Sequence, residues 1–184
     1  MGFDRNFAFG KAGESDIANW LKSRGYSVLP VYEKEISEKK GPQLFTPSGQ
    51  LIAPDLFAFG ERSDKAWWIE AKHKSAFSWH RITERFVTGI DLRHYENYLM
   101  FSELSPWPIW LLFLHRAGRA KDTPPNRESP TGLFGRELWY LSKHENHRHK
   151  NWGNSGMVYW AHKTLILLAS LDEVFQCSGN ERHQ

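Results

Sequence analysis

Apolar residues recur along the chain at two spacings, and each spacing predicts a kind of element. Ile17, Trp20 and Leu21 follow Ala12-Gly13-Glu14-Ser15-Asp16 at helical spacing, which predicts a helix stopped by the glycine of Arg24-Gly25. Tyr26 to Tyr32 reads as a strand, and Pro30, which lacks an N–H for a ladder, predicts that it is an edge strand or carries a bulge. Leu51 to Phe59 and Ala66 to Lys72 read as a second and a third strand, joined by a turn over residues 60–65. Residues 33–50 are charged, then rich in Gly and Pro, and read as a hairpin or an exposed loop. Ile90, His94, Asn97, Tyr98 and Phe101 form one stripe of a helix expected over residues 89–102. Pro108 to His115 is a continuous apolar run of strand length, as in a strand covered on both faces.

The pattern is weaker towards the C-terminus. Residues 117–135 turn to Gly, Arg, Lys, Asp and Pro and read as a long exposed loop that orders on binding. Glu137 to Ser142 reads as a short strand, and Lys143 to Lys150 as a basic, histidine-rich loop in contact with nucleic acid. As a zinc site that histidine run lacks a fourth ligand and suitable spacing. Met157 to Trp160 and Leu165 to Leu168 are strand-like, and a last helix starts at Ser170 with Asp172 and Glu173 in its first turn. The picture is an α/β domain spanning residues 1–184, with a central mixed β-sheet flanked by helices.

Two acidic residues break this apolar framework. Asp55 lies in Ala53-Pro54-Asp55 and Glu70 in Trp68-Ile69-Glu70-Ala71-Lys72, 15 positions further on. Alternate side chains of a strand share a face, so Glu70 and Lys72 point one way and Ile69 and Ala71 the other. A carboxylate in an apolar strand is costly unless a cation sits beside it. Two carboxylates converging at one end of a sheet, with an ammonium alongside, suit a hard divalent cation such as Mg²⁺. The same residues also fit a turn after Pro54 and a surface ion pair on an edge strand. Glu14 falls on the inward stripe of the first helix, where it either favours the helix dipole or adds a third acid aimed at the sheet.

Composition narrows the setting. A chain of 184 residues with 40% hydrophobic content suits one globular domain, and nine Trp and twelve Phe must build much of its core. No apolar run reaches the length of a membrane span and the N-terminus lacks a signal-peptide core, so a cytoplasmic protein is expected. A single cysteine, Cys177, excludes an internal disulfide and a thiolate zinc cluster. The formal charge is +3 and the pI about 9.0, a lean towards an anionic partner that matters only where charge clusters. It clusters after Lys72, where basic and aromatic residues interleave from His73 to Arg85. Lys74, Trp79, His80, Arg81 and Arg85 are the nucleic-acid-binding candidates there, holding phosphates or stacking on bases, unless the aromatics serve the core. Lys39 and Lys40 are further candidates within a solvated loop.

Glu14 on the first helix, Pro54-Asp55 on the second strand, Glu70-Ala71-Lys72 on the third and a following helix resemble the PD-(D/E)XK nuclease superfamily. The Ala12-Gly13-Glu14 opening and Arg24-Gly25-Tyr26 look most like its Holliday junction resolvase-like branch, and the resemblance covers about residues 10–115. It implies a restriction-endonuclease-like core and hydrolysis of DNA phosphodiester bonds with Mg²⁺ or Mn²⁺, as an endonuclease of recombination, repair or defence. It further implies that Asp55, Glu70 and Ala71 hold the metal, that Glu14 supports it through water, and that Lys72 assists the attacking water. A homodimer acting on DNA is the expected assembly. The alternative is a catalytically inactive nucleic-acid-binding or protein-interaction module on the same fold.

Overall fold

The computed structural model describes residues 2–31, 42–47, 49–61, 65–150 and 155–179, with side chains from residue 13 to residue 177 within them. Lys39, Lys40 and part of the turn expected over residues 60–65 lie outside the described residues. The chain runs α1 (Gly2–Ser23), β1 (Ser27–Pro30), β2 (Gln43–Thr46), β3 (Gly49–Ile52), β4 (Leu56–Phe59), β5 (Ala66–Lys74), β6 (Ser78–His80) and β7 (Arg85–Asp91). It continues through α2 (Leu92–Leu104), β8 (Ile109–His115), β9 (Gly132–Glu137), α3 (Leu138–Ser142), β10 (His147–His149), β11 (Met157–Ala161), β12 (Ile166–Ala169) and α4 (Leu171–Gly179). This is the α/β arrangement expected, a mixed sheet between layers of helix.

The central sheet has the order β1-β4-β5-β8-β9-β12. Only β5 and β8 run parallel, with Glu70 opposite Leu111 and Lys72 opposite Phe113, and the long crossover between them carries α2. Pro30 sits on the edge strand β1, where its missing N–H costs no ladder bond. β8 is buried from Leu111 to His115, as its unbroken apolar run predicts. One face of the sheet packs Trp68, Leu111, Phe113 and Phe134 against α2, α3 and β7 and β11 of a second sheet, ordered β10-β11-β7-β6. The other face packs Ile69, Ala71, Leu112 and Leu114 against Ile17, Trp20 and Leu21 of α1 and Val174 of α4. Ser170 and Glu173 cap α4 reciprocally: Ser170 N–H donates to the Glu173 carboxylate at 2.8 Å, and Glu173 N–H to the Ser170 hydroxyl at 3.3 Å.

Several elements differ from those expected, each for a physical reason. Residues 51–59 are not one strand: β3 ends at Ile52, β4 begins at Leu56, and Asp55 sits in the break, because Pro54 cannot donate to a ladder. Ala53 N–H turns instead to the carbonyl of Pro42 at 2.7 Å. The helix over 89–102 starts later, at Leu92; Gly89 and Ile90 belong to strand β7, which runs to Asp91, and the Asp91 carboxylate accepts from Arg93 N–H at 2.9 Å as the cap. Residues 132–135, assigned to a loop for their glycines, are strand β9. A Cβ on Gly135 would lie 2.4 Å from Leu112 Cδ2, so the glycine is there for close packing. Residues 138–142 form a helix rather than a strand, since Leu138 and Leu141, three apart, are the buried pair. Within the expected basic loop, residues 147–149 pair with β11.

Gly89 gives a direct test of this packing. A Cβ there would fall 2.2 Å from the carbonyl oxygen of Val158, a main-chain atom that cannot swing aside, whereas one on Gly60 meets nothing nearer than 3.6 Å. Gly89→Ala should therefore cost about 1–3 kcal/mol in urea unfolding, and Gly60→Ala should leave the midpoint nearly unchanged.

Candidate metal centre

Asp55 is presented by the break between β3 and β4. Its carbonyl accepts from Val31 N–H at 2.9 Å, which pins the main chain, and its Oδ2 accepts from Ala71 N–H at 3.0 Å, which aims the side chain across to β5. Glu70 and Lys72 rise from the same face of β5, as strand alternation requires. The Glu70 side chain is fully buried and ion-pairs with the Lys72 ammonium, which stands 3.7 Å from Asp55 Oδ2. A surface ion pair on an edge strand is thus not what the chain builds: β5 is an interior strand and its carboxylate sees no solvent.

The electrostatics follow from crowding two acids around one base. Burial, and after it the charge of Glu70, pushes the Asp55 carboxyl up from 3.8 to about 7, against the pull of Lys72 and the Ala71 N–H. Burial works against the Lys72 ammonium too, but the charges of Asp55, Glu70 and Glu14 outweigh it and hold its pKa above the usual lysine value. Glu14, partly buried on α1, therefore lies within electrostatic reach of the centre. α1 approaches closely because position 13 is glycine: a Cβ there would lie 2.3 Å from His73 Cβ. From the other side come two members of the α2 stripe. Burial and then the charges of Glu70 and Asp55 raise the buried Tyr98 phenol well above its ordinary value, and burial and then Lys72 lower His94.

A divalent cation fits this donor set. Neither Glu70 carboxylate oxygen finds a hydrogen-bonding partner of regular geometry among the described residues, although both are buried. The Lys72 ion pair engages Oε1, and a carboxylate has further lone pairs that a hard cation accepts. Among the described residues no three His, Cys, Asp or Glu side chains converge closely enough to form a full ligand cage. Two carboxylates nonetheless match Mg²⁺, which keeps several waters and takes one or two carboxylates from the protein.

The nucleic-acid-binding candidates run from the end of β5 through β6 to the start of β7. Lys74 continues the Glu70–Lys72 face, and burial, reinforced by the Lys72 charge, lowers it to about 8. The Trp79 ring is already in use: Arg127 lies over it at 4.8 Å and Phe86 meets it edge-on, while the residue's main-chain N–H donates to Asp122 Oδ2 at 3.0 Å. His80 stacks on His147 at 4.0 Å and hydrogen-bonds Thr83 at 2.7 Å. Arg81 and Arg85 are exposed. Sequence reading missed His115, which is fully buried at the end of β8, stacks on Phe77 at 3.6 Å and is lowered to about 3 by burial and then by Lys74. Only its polar side chain within an apolar run marked it.

The raised Asp55 pKa fixes a pH dependence. The folded metal-free protein holds this proton more tightly than the unfolded chain, so the contribution is complete below about pH 4 and is lost as pH rises through about 7. In chelator, stability should fall over that window by on the order of 3 kcal/mol, and Asp55→Asn should flatten the fall. Thermal melts from pH 4 to pH 8 read this directly, and Mg²⁺ or Mn²⁺ should restore stability above pH 7 by taking the place of the proton.

No known family profile matches the chain, and no curated protein matches it in sequence. Among solved structures, the chain is similar to Hjc, a Holliday junction resolvase from the hyperthermophilic archaeon Archaeoglobus fulgidus. The TM-score is 0.47 at 12% identity, over 84% of this chain and 90% of that one. It is also similar to D212, a nuclease from a fusselovirus, with a TM-score of 0.41 at 12% identity over 99% of this chain and 95% of that one.

Proposed function

We propose that the protein is a metal-dependent deoxyribonuclease of the PD-(D/E)XK type, acting as an endonuclease, with Asp55, Glu70 and Lys72 as its working groups. The observation that carries this is the convergence, on β5 and the β3–β4 break, of the fully buried Glu70 carboxylate, the partly buried Asp55 carboxylate and the Lys72 ammonium between them. Asp55, Glu70 and the main chain of Ala71 would hold Mg²⁺ or Mn²⁺, with Glu14 acting on it through water. The chemistry the cation supplies there is polarisation of a phosphoryl oxygen and acidification of the attacking water.

The residues themselves do the rest. Ala71 N–H holds the Asp55 carboxylate in one orientation. Lys72, kept protonated by its acidic neighbours, is an electrostatic group rather than a general base: its ammonium orients the water and offsets negative charge growing on the phosphoryl oxygens. Lys74 at the end of β5, and the exposed Arg81 and Arg85 between β6 and the start of β7, would supply phosphate-binding charge. A homodimer cutting both strands of DNA completes the proposal, with the chain as one catalytic domain.

Labelled linear, circular and four-way-junction DNA, incubated with Mg²⁺, with Mn²⁺ and with chelator, tests it. Cutting should require the metal, and Asp55→Ala and Lys72→Ala should each lower the rate at least ~100-fold, the range seen for removal of a preorganised charge-stabilising group. Metal-independent binding with no cutting of any substrate would instead establish the inactive binding module.

A further inference from the structure

A cleft of about 310 Å³ opens between the β2–β3 hairpin and α2, and none of its lining residues belongs to the metal centre. One wall is the β2–β3 hairpin, with Gln43, Gln50 and Leu51, and the other is the outer side of α2, with Arg93, Asn97 and Met100. Asn97 locks the walls together. Its Oδ1 accepts from Ile52 N–H at 2.8 Å, and its Nδ2 donates to the Arg93 carbonyl at 2.8 Å. The side-chain amides of Gln43 and Gln50 and the guanidinium of Arg93 make no hydrogen bond or ion pair among the described residues. The cleft is thus preformed, with uncommitted polar groups above apolar Leu51, Ile52 and Met100.

It also lies close to the chemistry. Ile52 precedes Asp55 by three residues, a chain path of about 11 Å at most. His94, next to Arg93 on α2, feels the charges of both Lys72 and Asp55. At that separation a nucleotide next to a phosphate held at the metal centre is within reach of this cleft.

Amide and guanidinium groups are the side chains that pair with nucleobase edges, and Met and Leu offer apolar surface for a base face. The volume suits one small ligand rather than a duplex. A base reaches such a pocket at little cost only if it is already unpaired, since drawing it from a duplex means unstacking it first. We infer that this cleft receives an unpaired nucleobase beside the cleaved phosphate, so that DNA with a single-stranded flap or gap is bound in preference to continuous duplex. The inference rests on the nuclease reading above and names its substrate class.

Fluorescence anisotropy with labelled DNA, in Ca²⁺ and in chelator so that nothing is cut, tests it. Three ligands are compared: a duplex with a short single-stranded flap, the same flap made of abasic residues, and the fully paired duplex. The natural flap should bind roughly 10-fold tighter than the other two, a typical gain for one or two base-edge contacts. Met100→Trp, at a half-exposed position, fills the cleft, and Gln50→Ala removes an amide from an exposed one. Both should erase the preference and leave duplex affinity unchanged. Equal binding of natural and abasic flaps, or a preference that survives Met100→Trp, would overturn the inference. Asp55→Ala should keep the preference while losing cleavage, so failure of the cleft and failure of the nuclease reading are separately visible.

Discussion

Two carboxylates forced together in a buried place, with one ammonium between them, are the constraint on which the rest of this structure depends. Burial and mutual repulsion raise Asp55 to about 7, while Glu70 is held fully buried against the Lys72 ammonium. A fold does not keep such an arrangement for stability, because well-packed apolar residues would serve at least as well. The imbalance of two acids against one base is relieved by a proton on Asp55 or by a cation. Titration of the site and the proposed binding of metal are therefore two aspects of one electrostatic imbalance.

The framework exists to hold that imbalance in place. β5 and β8, buried side by side in the sheet, fix Glu70 and Lys72 on one face. The Pro54 break frees Asp55 from the ladder so that its carboxylate can turn to Ala71 N–H. α1 closes one side through the contact that Gly13 permits, and α2 closes the other with Tyr98 and His94. The β2–β3 hairpin then leans on the outer side of α2 through Asn97, which forms a rigid cleft next to the centre.

The centre was legible in the sequence because its signals are local. Alternation placed Glu70 and Lys72 together, and helical spacing placed Glu14 against the sheet and His94 and Tyr98 on one stripe. Even Pro30 announced an edge strand. What was not legible depends on distant packing. Gly135 looks like a loop residue until Leu112 is seen to press on it, and residues 89–90 follow the helical stripe although Asp91 caps the helix after them. The Trp79 ring suggested a stacking platform because nothing in the sequence shows Arg127 lying over it. The cleft leaves no signal either, since its walls lie more than 40 positions apart and its floor is made by one asparagine bond.

The central claim is that Asp55 and Glu70 share a divalent cation. The most direct measurement is the anomalous difference density of crystals grown with Mn²⁺ above pH 7, where Asp55 has lost its proton. The account predicts a peak between the Asp55 and Glu70 carboxylates that vanishes in Glu70→Gln. No peak there in crystals of the unaltered protein, or a peak only elsewhere, would contradict it.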